Sequence, residues 1–336
     1  MSSAAPVTLE PGSVRSARSP VTLERIDAFL PQRSVRIEEL GERLGLRRPE
    51  LGVFRKFYGL NTLRFDPDLP LLDLLRPAAQ RALAALPAGA KVDYLIYAHT
   101  TQTLAPPDVD IAQDIRDALG LSAGTEAFSM SQQACVSSLG AIDVAGELLR
   151  ADGQDGYALI VSGEQAFSPI VQLIPNTAIM ADAAGACLVT VGGPGDAVHS
   201  FASSTYGQYA AWSELDQAAA VEFGERYGRR LAEAISAAVD QAGLRLADIE
   251  LVIPHNVNML AWRQTMKELD APEEKFFLDN VGKYSHTYTS DVFINYATLR
   301  EEGRLVAGGW YVLASVGLGA TFAAIVIQHR EREAGS

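Results

Sequence analysis

The most informative segment of the sequence is the one in which a polar turn gives way to small, helix-forming residues: Ser131-Gln132-Gln133-Ala134-Cys135-Val136-Ser137-Ser138-Leu139-Gly140. Apolar side chains follow at near-helical spacing in 141–150, and 157–163 has the composition of a buried strand. Cys135 is therefore expected at a helix N-terminus, where the helix dipole and unpaired N–H groups favour a thiolate over a thiol. A free cysteine is also commonly an inert core residue, so its role depends on the rest of the chain.

Composition limits the class of protein. The chain has 336 residues, 48% of them hydrophobic and 21% charged, which is typical of a globular protein with two packed domains or one duplicated domain. The formal net charge of −13 disfavours general nucleic-acid binding, and no segment has the length and hydrophobicity of a membrane span. Two cysteines and the lack of a signal-like apolar run predict a cytoplasmic protein. Residues 1–20 are predicted to be a disordered leader.

Two halves of the chain repeat the same order of features. A charged start leads into a buried strand and then a polar loop at 91–100, and the same order occurs at 248–258. Nearly the same interval separates two pairs of residues, His99 and His255, and Cys135 and His286. A duplicated unit of strands and helices predicts two similar α/β halves about a pseudo-twofold axis. Loops of both halves then converge on one cleft, where the cysteine can meet the two later histidines.

Four motifs resemble the ketoacyl-carrier-protein synthase III branch of the thiolase superfamily, over a span from about residue 20 to residue 330. They are Ala134-Cys135 at the nucleophile helix, Ala181-Asp182-Ala183-Ala184-Gly185-Ala186 in place of the usual Gly-Asp-Gly-Ala-Gly-Ala, Pro254-His255-Asn256-Val257-Asn258 for the His-Gln-Ala-Asn loop, and Ser315-Val316-Gly317-Leu318-Gly319 for the glycine-rich turn. The resemblance implies the duplicated thiolase fold, in which two α/β halves form five layers, α-β-α-β-α. The halves are expected at 21–198, with the nucleophile, and at 199–336, with the two histidines.

The resemblance also implies roles for the nucleophile and its surroundings. Cys135 would be the residue that is acylated, and the backbone N–H groups of Cys135 and Leu318 would form the oxyanion hole. No cofactor or metal would be bound permanently, since the co-substrate would be the thioester of acyl-coenzyme A or of phosphopantetheine on an acyl carrier protein. The segment 167–180 resembles the dimer-contacting region of the family, so a homodimer is expected.

A helix that begins near residue 260 would lie at the mouth of the pantetheine tunnel in this family. Its residues Trp262, Arg263 and Lys267, with Asn258 in the preceding loop, are the candidates for binding pantetheine or a carrier protein. Cationic side chains there would meet phosphates or an acidic partner. An ordinary solvated helix face is the alternative interpretation.

The chain departs from the family at a loop that usually reads Gly-Asn-Thr and here reads Ser285-His286-Thr287. His286 thus replaces the asparagine that joins Cys and His in decarboxylative condensation. Five residues later Asp291 falls inside the predicted helix, where a buried carboxylate is costly unless it is paired. His286 is its natural partner, and the pair would fix the imidazole tautomer as the carboxylate of a Ser-His-Asp triad does.

A Cys-His-Asp arrangement predicts acyl transfer, and the chain resembles the atypical ketosynthase-III-like acyltransferases of natural-product pathways. Such a reaction moves a short acyl group from a thioester to Cys135 and then to a hydroxyl, amine or thiol, with His286 as the base. His255 would lie on the other side of the thiol and could activate it or hold a substrate. One alternative is a decarboxylative Claisen condensation that uses both histidines. The other is a non-catalytic dimer subunit, although such subunits usually lose the nucleophile.

Overall fold

The computed structural model describes residues 19–102, 105–106, 108–153, 155–210 and 215–331. The predicted leader, 1–20, lies outside this part of the chain except for its last two residues. The strands are β1 Val21–Phe29, β2 Ser34–Arg36, β3 Thr62–Arg64, β4 Val92–Ala98, β5 Glu126–Met130, β6 Tyr157–Glu164, β7 Leu173–Ile174, β8 Ala178–Ile179, β9 Ala183–Val191, β10 Asp196–Thr205, β11 Ile249–Pro254, β12 Trp310–Gly317 and β13 Thr321–Gln328. The α-helices are α1 Gly41–Leu44, α2 Arg48–Lys56, α3 Leu71–Leu83, α4 Ile111–Ala118, α5 Ser137–Ala151, α6 Pro169–Gln172, α7 Gln217–Gln241, α8 Met259–Leu269, α9 Val281–Tyr284 and α10 Asp291–Glu301.

Nine of these strands form one mixed sheet in the order β11-β12-β13-β10-β1-β9-β6-β4-β5. In the first half β4 is parallel to β5 and β6, and β9 is antiparallel to β6 and β1. The second half repeats the pattern, since β11 and β12 are parallel and β13 is antiparallel to β12 and β10. A single parallel bridge between Val252 and Phe276 stands in the place of β5. Both half-sheets thus have the same strand order, and they join where β1 pairs with β10.

The two faces of each half-sheet pack into different hydrophobic cores, because successive side chains of a strand point to opposite faces. Tyr97 of β4 belongs to the core formed with α3, whereas its neighbour Ile96 belongs to the core formed with α5 and α10. In β12, Leu313 shares this inner core and Val312 packs into the core formed with α7. The layers are therefore α3, the first half-sheet, α5 with α10, the second half-sheet, and α7. This is the five-layer fold predicted from the sequence.

Helices α5 and α10 lie between the two half-sheets and position the site. Helix α5 contacts β4, β6 and β9 of the first half and β12 and β13 of the second. Helix α10 is buried on nearly every face, as expected for a helix without a continuous polar face. The two N-terminal ends meet, since the Ser138 hydroxyl donates to the Thr289 carbonyl at 2.8 Å. The inner layer therefore brings the segments around Cys135 and His286 together.

The predicted start of the nucleophile helix differs from the structure in detail. Cys135 does not begin the helix itself but lies in a 3-10 turn, Ala134–Val136, and α5 starts at Ser137. The predicted division at 198/199 falls inside β10, so the position of a domain boundary stays a prediction. Within the described residues, no helix is both long enough and apolar enough to cross a membrane.

Candidate active site

Cys135 is buried at the start of the inner helix α5. Its sulfur lies 3.3 Å from His286 Nε2 and accepts a hydrogen bond from the Thr100 hydroxyl at 3.6 Å. The preceding residue, Ala134, has a φ of 48°, in the left-handed region that strains an L-residue with a side chain. The thiol is therefore held by a strained turn between a hydroxyl donor and an imidazole.

A loop of the second half presents His286 to this thiol. The His286 carbonyl accepts a hydrogen bond from Ala181 N at 2.8 Å, and the Ser285 hydroxyl donates to the Ile179 carbonyl at 2.5 Å. Ser285 has a φ of 58°, again in the left-handed region that favours glycine. The backbone of the histidine is thus fixed against the segment that connects β8 and β9.

Asp291 is the first residue of α10 and lies against His286. Its Oδ2 is 2.5 Å from His286 Nδ1, and its Oδ1 accepts from the backbone N–H and the hydroxyl of Thr287 at 2.7 and 2.5 Å. The backbone N–H of Asn256 donates to Oδ2 at 2.6 Å. Cys135, His286 and Asp291 therefore form one continuous hydrogen-bonded chain inside the protein.

The charges of this chain stabilise each other. Burial alone raises the pKa of Asp291, but the His286 charge and the donors around the carboxylate outweigh burial, and the pKa is lowered. Burial likewise disfavours protonated His286, but the negative charges of Asp291 and Cys135 outweigh it and raise the pKa of His286 to about 10. The resting pair is an imidazolium and a carboxylate, in which Nδ1 donates to Asp291 and Nε2 faces the sulfur.

His255 lies beside this chain but has different partners. Its Nε2 is 2.9 Å from the Tyr227 hydroxyl, and its ring centroid is 5.7 Å from that of His286. Burial, reinforced by the positive charge of His286, lowers the pKa of His255 to about 3. The two imidazoles are therefore in opposite charge states, His255 neutral and His286 protonated.

Polar residues that the sequence interpretation missed fix the surroundings. Asn295 donates to the Pro254 carbonyl at 2.7 Å and to Asn256 Oδ1 at 2.8 Å, and thereby ties the loop after β11 to α10. Glu164 is buried at the end of β6 and accepts from the backbone N–H groups of Thr100 and Thr101 at 2.5 and 2.8 Å. Two features of the sequence indicate these residues. Asn295 is a polar residue four positions after Asp291 in a predicted buried helix, and Glu164 is a carboxylate at the end of a predicted buried strand.

The glycine-rich turn between β12 and β13 packs against the turn that carries Cys135. A Cβ on Gly317 would stand 1.9 Å from the Gln133 carbonyl oxygen, so only glycine permits this approach. The Ser315 hydroxyl donates to the Cys135 carbonyl at 3.1 Å. Leu318, the predicted oxyanion-hole residue, follows in this turn. Its role stays a prediction.

The four candidates for pantetheine or carrier-protein binding divide into two groups. Arg263 and Lys267 are exposed on α8. Trp262 is fully buried, and its indole N–H donates to the His255 carbonyl at 2.8 Å. Asn258 is buried as the N-cap of α8, accepts from Ala261 N at 2.8 Å and donates to the Thr177 carbonyl at 3.0 Å. Trp262 and Asn258 thus have internal partners, and the binding role of all four residues stays a prediction.

In the part of the chain that the structure describes, no group of three or more His, Cys, Asp or Glu could hold a metal ion. Cys187 is buried in β9, where burial raises the pKa of its thiol well above the usual range.

The fold and the buried cysteine define a thiolase-type protein, and comparisons with known proteins agree. Residues 239–329 match the family model of the 3-oxoacyl-[acyl-carrier-protein] synthase III C-terminal region. The chain is 31% identical over 294 residues to beta-ketoacyl-[acyl-carrier-protein] synthase III of Lactobacillus delbrueckii subsp. bulgaricus, covering 80% of this chain and 88% of that relative. The protein therefore belongs to the beta-ketoacyl-[acyl-carrier-protein] synthase III family.

Solved structures confirm the thiolase fold. ChlB3, described as an acyltransferase, has a TM-score of 0.79 at 21% identity, and the match covers 93% of this chain and 98% of ChlB3. The 3-oxoacyl-(acyl carrier protein) synthase III of Pseudomonas aeruginosa PAO1 has a TM-score of 0.77 at 22% identity, with 94% and 100% covered. Both matches extend over almost the whole chain, so the fold is shared throughout and not only in one half.

Proposed function

We propose that this protein is an acyltransferase that moves a short acyl group through an acyl-Cys135 intermediate. The observation that carries the proposal is the His286–Asp291 pair, 2.5 Å apart, with the other imidazole nitrogen 3.3 Å from the cysteine sulfur. In this arrangement a base is held in one tautomer by a buried carboxylate, as in Ser-His-Asp enzymes. Family membership supports a transferase that handles acyl thioesters.

The first half-reaction loads the cysteine. The Cys135 thiolate attacks the thioester carbonyl, a carbon–sulfur bond forms, and negative charge develops on the carbonyl oxygen. When the intermediate collapses, the bond to the original thiol breaks and the protonated His286 gives its Nε2 proton to the leaving sulfur. Acyl-Cys135, a free thiol and a neutral His286 remain.

The second half-reaction uses the neutral imidazole as the base. His286 takes the proton of an incoming hydroxyl, amine or thiol, which attacks the acyl-cysteine carbonyl, and the carbon–sulfur bond to Cys135 breaks. The products are the acylated acceptor, a cysteine thiolate and an imidazolium, so the resting ion pair is restored. Asp291 keeps its charge throughout and stabilises the imidazolium in both resting and product states.

The oxyanion of both intermediates would be held by the backbone N–H groups of Cys135 and Leu318. The close approach of Gly317 to Gln133 supports this role because it sets the glycine-rich turn directly against the cysteine turn. Removal of one such donor typically costs about 10²–10³ in rate.

Coenzyme A or the phosphopantetheine of a carrier protein is the proposed donor. Arg263 and Lys267 are exposed one turn apart on α8, and cationic side chains there suit phosphates or an acidic partner on a protein whose net charge is −13. A homodimer, a cytoplasmic location and a role in a natural-product pathway are parts of the same proposal.

Decarboxylative condensation is the second candidate. It is favoured by the curated relatives, which are described as beta-ketoacyl-[acyl-carrier-protein] synthases, and by two imidazole rings 5.7 Å apart beside the thiol. The pairing of His286 with Asp291 opposes condensation. Condensation would use both histidines as neutral hydrogen-bond donors, whereas Asp291 favours the protonated form of His286. A non-catalytic subunit is disfavoured by the intact Cys-His-Asp chain.

Intact-protein mass spectrometry tests the proposal. Wild type, Cys135→Ala and the matched control Cys187→Ala are incubated with acetyl-, propionyl- and malonyl-coenzyme A. An acyl adduct in wild type and Cys187→Ala but not in Cys135→Ala, with malonyl retained, supports a transferase. Rapid loss of carbon dioxide in wild type supports condensation instead. No adduct from any donor, including acylated carrier protein, contradicts an acyl-enzyme.

A further inference from the structure

Tyr227 makes a contact with the site that the transfer mechanism does not use. It lies on α7, outside the second half-sheet, and its buried hydroxyl is 2.9 Å from His255 Nε2. The ring is held in an aromatic cluster, with Phe223 and Phe322 centroids each 5.7 Å away. The hydroxyl position is thus fixed by packing rather than by local sequence.

Both nitrogens of His255 are withheld from a substrate in this arrangement. Nε2 is occupied by Tyr227, and Nδ1 is buried, with the Ala314 backbone carbonyl acting on the ring as an acceptor. A neutral imidazole carries one proton, and a buried N–H or O–H without an acceptor is rarer in proteins than an unpaired acceptor. Burial raises the pKa of Tyr227 well above its usual range, so the phenol keeps its proton and donates it to Nε2, and the imidazole proton belongs on Nδ1.

Loss of carbon dioxide from a malonyl thioester needs a hydrogen-bond donor to the enolate oxygen. Acyl transfer to a hydroxyl or amine forms no enolate and does not need this donor. The carbon–carbon bond breaks, carbon dioxide leaves, and the electron pair moves into an enolate whose charge resides on the thioester oxygen. Preorganised N–H donors stabilise such charge, and removal of one typically costs about 10²–10³ in rate. His286 is bound to Asp291 and faces the sulfur, so His255 is the remaining imidazole able to serve the enolate oxygen.

We propose that Tyr227 is a specificity-determining positioning residue, which donates its hydroxyl proton to His255 Nε2, keeps this nitrogen from donating to an enolate, and so suppresses decarboxylation in favour of acyl transfer. The inference rests on the proposed function. The low pKa of His255, a consequence of burial and of the adjacent His286 charge, agrees with it, since the ring does not gain a second proton near neutrality.

Tyr227→Phe tests this role, because it removes the hydroxyl and keeps the ring. Tyr209→Phe is the matched control: Tyr209 is a buried tyrosine of the same aromatic cluster, 5.2 Å from Phe223, and its hydroxyl has no hydrogen-bond partner among the described residues. Each protein is incubated with malonyl-coenzyme A, and acetyl-coenzyme A is measured by chromatography. Acylation of Cys135 by acetyl-coenzyme A is measured in parallel as the reference rate and as proof of a folded site.

The expected result is a rise of at least about tenfold in the ratio of decarboxylation to acylation in Tyr227→Phe, with no rise in Tyr209→Phe. The double variant Tyr227→Phe/His255→Ala should lose the gain, because the freed donor is gone. An unchanged ratio in Tyr227→Phe, or an equal rise in Tyr209→Phe, overturns the inference and leaves the proposed function standing. Decarboxylation by wild type at the rate of acylation overturns the proposed function itself.

Discussion

The two halves of the molecule build the same structure and use it for different chemistry. In each half a residue in the left-handed region precedes the reactive side chain, Ala134 before Cys135 and Ser285 before His286, at an identical separation of 151 residues. In each half an inner helix follows. The repeated backbone thus delivers a nucleophile from one half and its base from the other, and the difference lies in the few residues between strained turn and helix.

The length of that connection decides which chemistry each half supports. Helix α5 begins two residues after Cys135, whereas a further 3-10 turn, Tyr288–Ser290, separates His286 from the start of α10. The longer connection lets the first carboxylate of α10, Asp291, reach back to His286 and Thr287. A helix N-terminus therefore supports a thiolate in one half, while in the other it carries the carboxylate that orients the base.

Removal of the Asp291 charge should have the largest effect on the rate of acyl transfer. Asp291→Asn keeps the shape but supplies an amide where His286 Nδ1 needs an acceptor, so we expect the rate of acyl transfer to fall by about 10²–10⁴. Stopped-flow measurement of both half-reactions checks it. The matched control is Asp182→Asn, which removes a buried carboxylate of the first half that accepts only backbone N–H groups, from Asp66 and Ala166. Equal rate losses in both variants would contradict a special role for Asp291.

Thr100 is the first-half counterpart of this support, since its hydroxyl donates to the Cys135 sulfur. Thr100→Val should slow acylation by about 10- to 150-fold, because a hydrogen bond to a charged group is worth about 1.5–3 kcal/mol. Thr100→Ser keeps the hydroxyl and is the control that should restore most of the rate. If valine and serine variants are acylated equally fast, the hydroxyl does not stabilise the thiolate.

Stability should depend on pH in opposite directions at the two histidines. The pKa of His286 is raised from 6.5 to about 10, so its contribution is complete below pH 6.5 and is lost as the pH rises to about 10. The pKa of His255 is lowered from 6.5 to about 3, so stability is lost as the pH falls from 6.5 towards 3. Each slope is at most about 1.4 kcal/mol per pH unit. Urea unfolding at a series of pH values gives the free energy of unfolding. This free energy should depend less on pH above 6.5 in His286→Asn and below 6.5 in His255→Asn. The reverse pattern would refute the charge assignment.

The smallest expected effect concerns the two strained turns. Ala134→Gly should raise the free energy of unfolding by about 0.5–1 kcal/mol, because glycine accepts the left-handed backbone without strain. Ser285→Gly gains the same relief but loses the hydrogen bond from its hydroxyl to Ile179, worth about 1 kcal/mol, so its net change should be near zero. Thermal unfolding of both variants checks this. A destabilised Ala134→Gly would show that the turn is not strained.

Local spacing made the central chain of the site predictable from sequence. Asp291 stands five residues after His286, at the start of a buried helix. Their contact could therefore be predicted with little knowledge of the fold. The position of Cys135 beside them required the internal duplication, since 151 residues separate the partners. The duplicated fold itself was predictable for the same reason, because the order of strands and helices repeats along the chain.

Contacts between separate elements were not predictable in this way. Helical spacing places Trp262 and Arg263 on different faces of α8 but does not say which face packs inward, and the structure buries the tryptophan. The Tyr227–His255 contact joins α7 to the loop after β11, and Glu164 reaches the loop after β4. Each depends on how the layers pack, which periodicity alone cannot supply.

The position of the reactive thiol between the two halves has a consequence for folding. The contact between Cys135 and His286 closes over 151 residues, and contacts of such long range form slowly because the chain entropy is lost before they contribute. Each half can build its own sheet pairings first, whereas the thiol gains its imidazole neighbour only when the halves dock. The rate at which Cys135 becomes protected against a pulse of alkylating reagent during refolding would therefore report the rate of that docking step. One side chain would thus report on the assembly of the two halves.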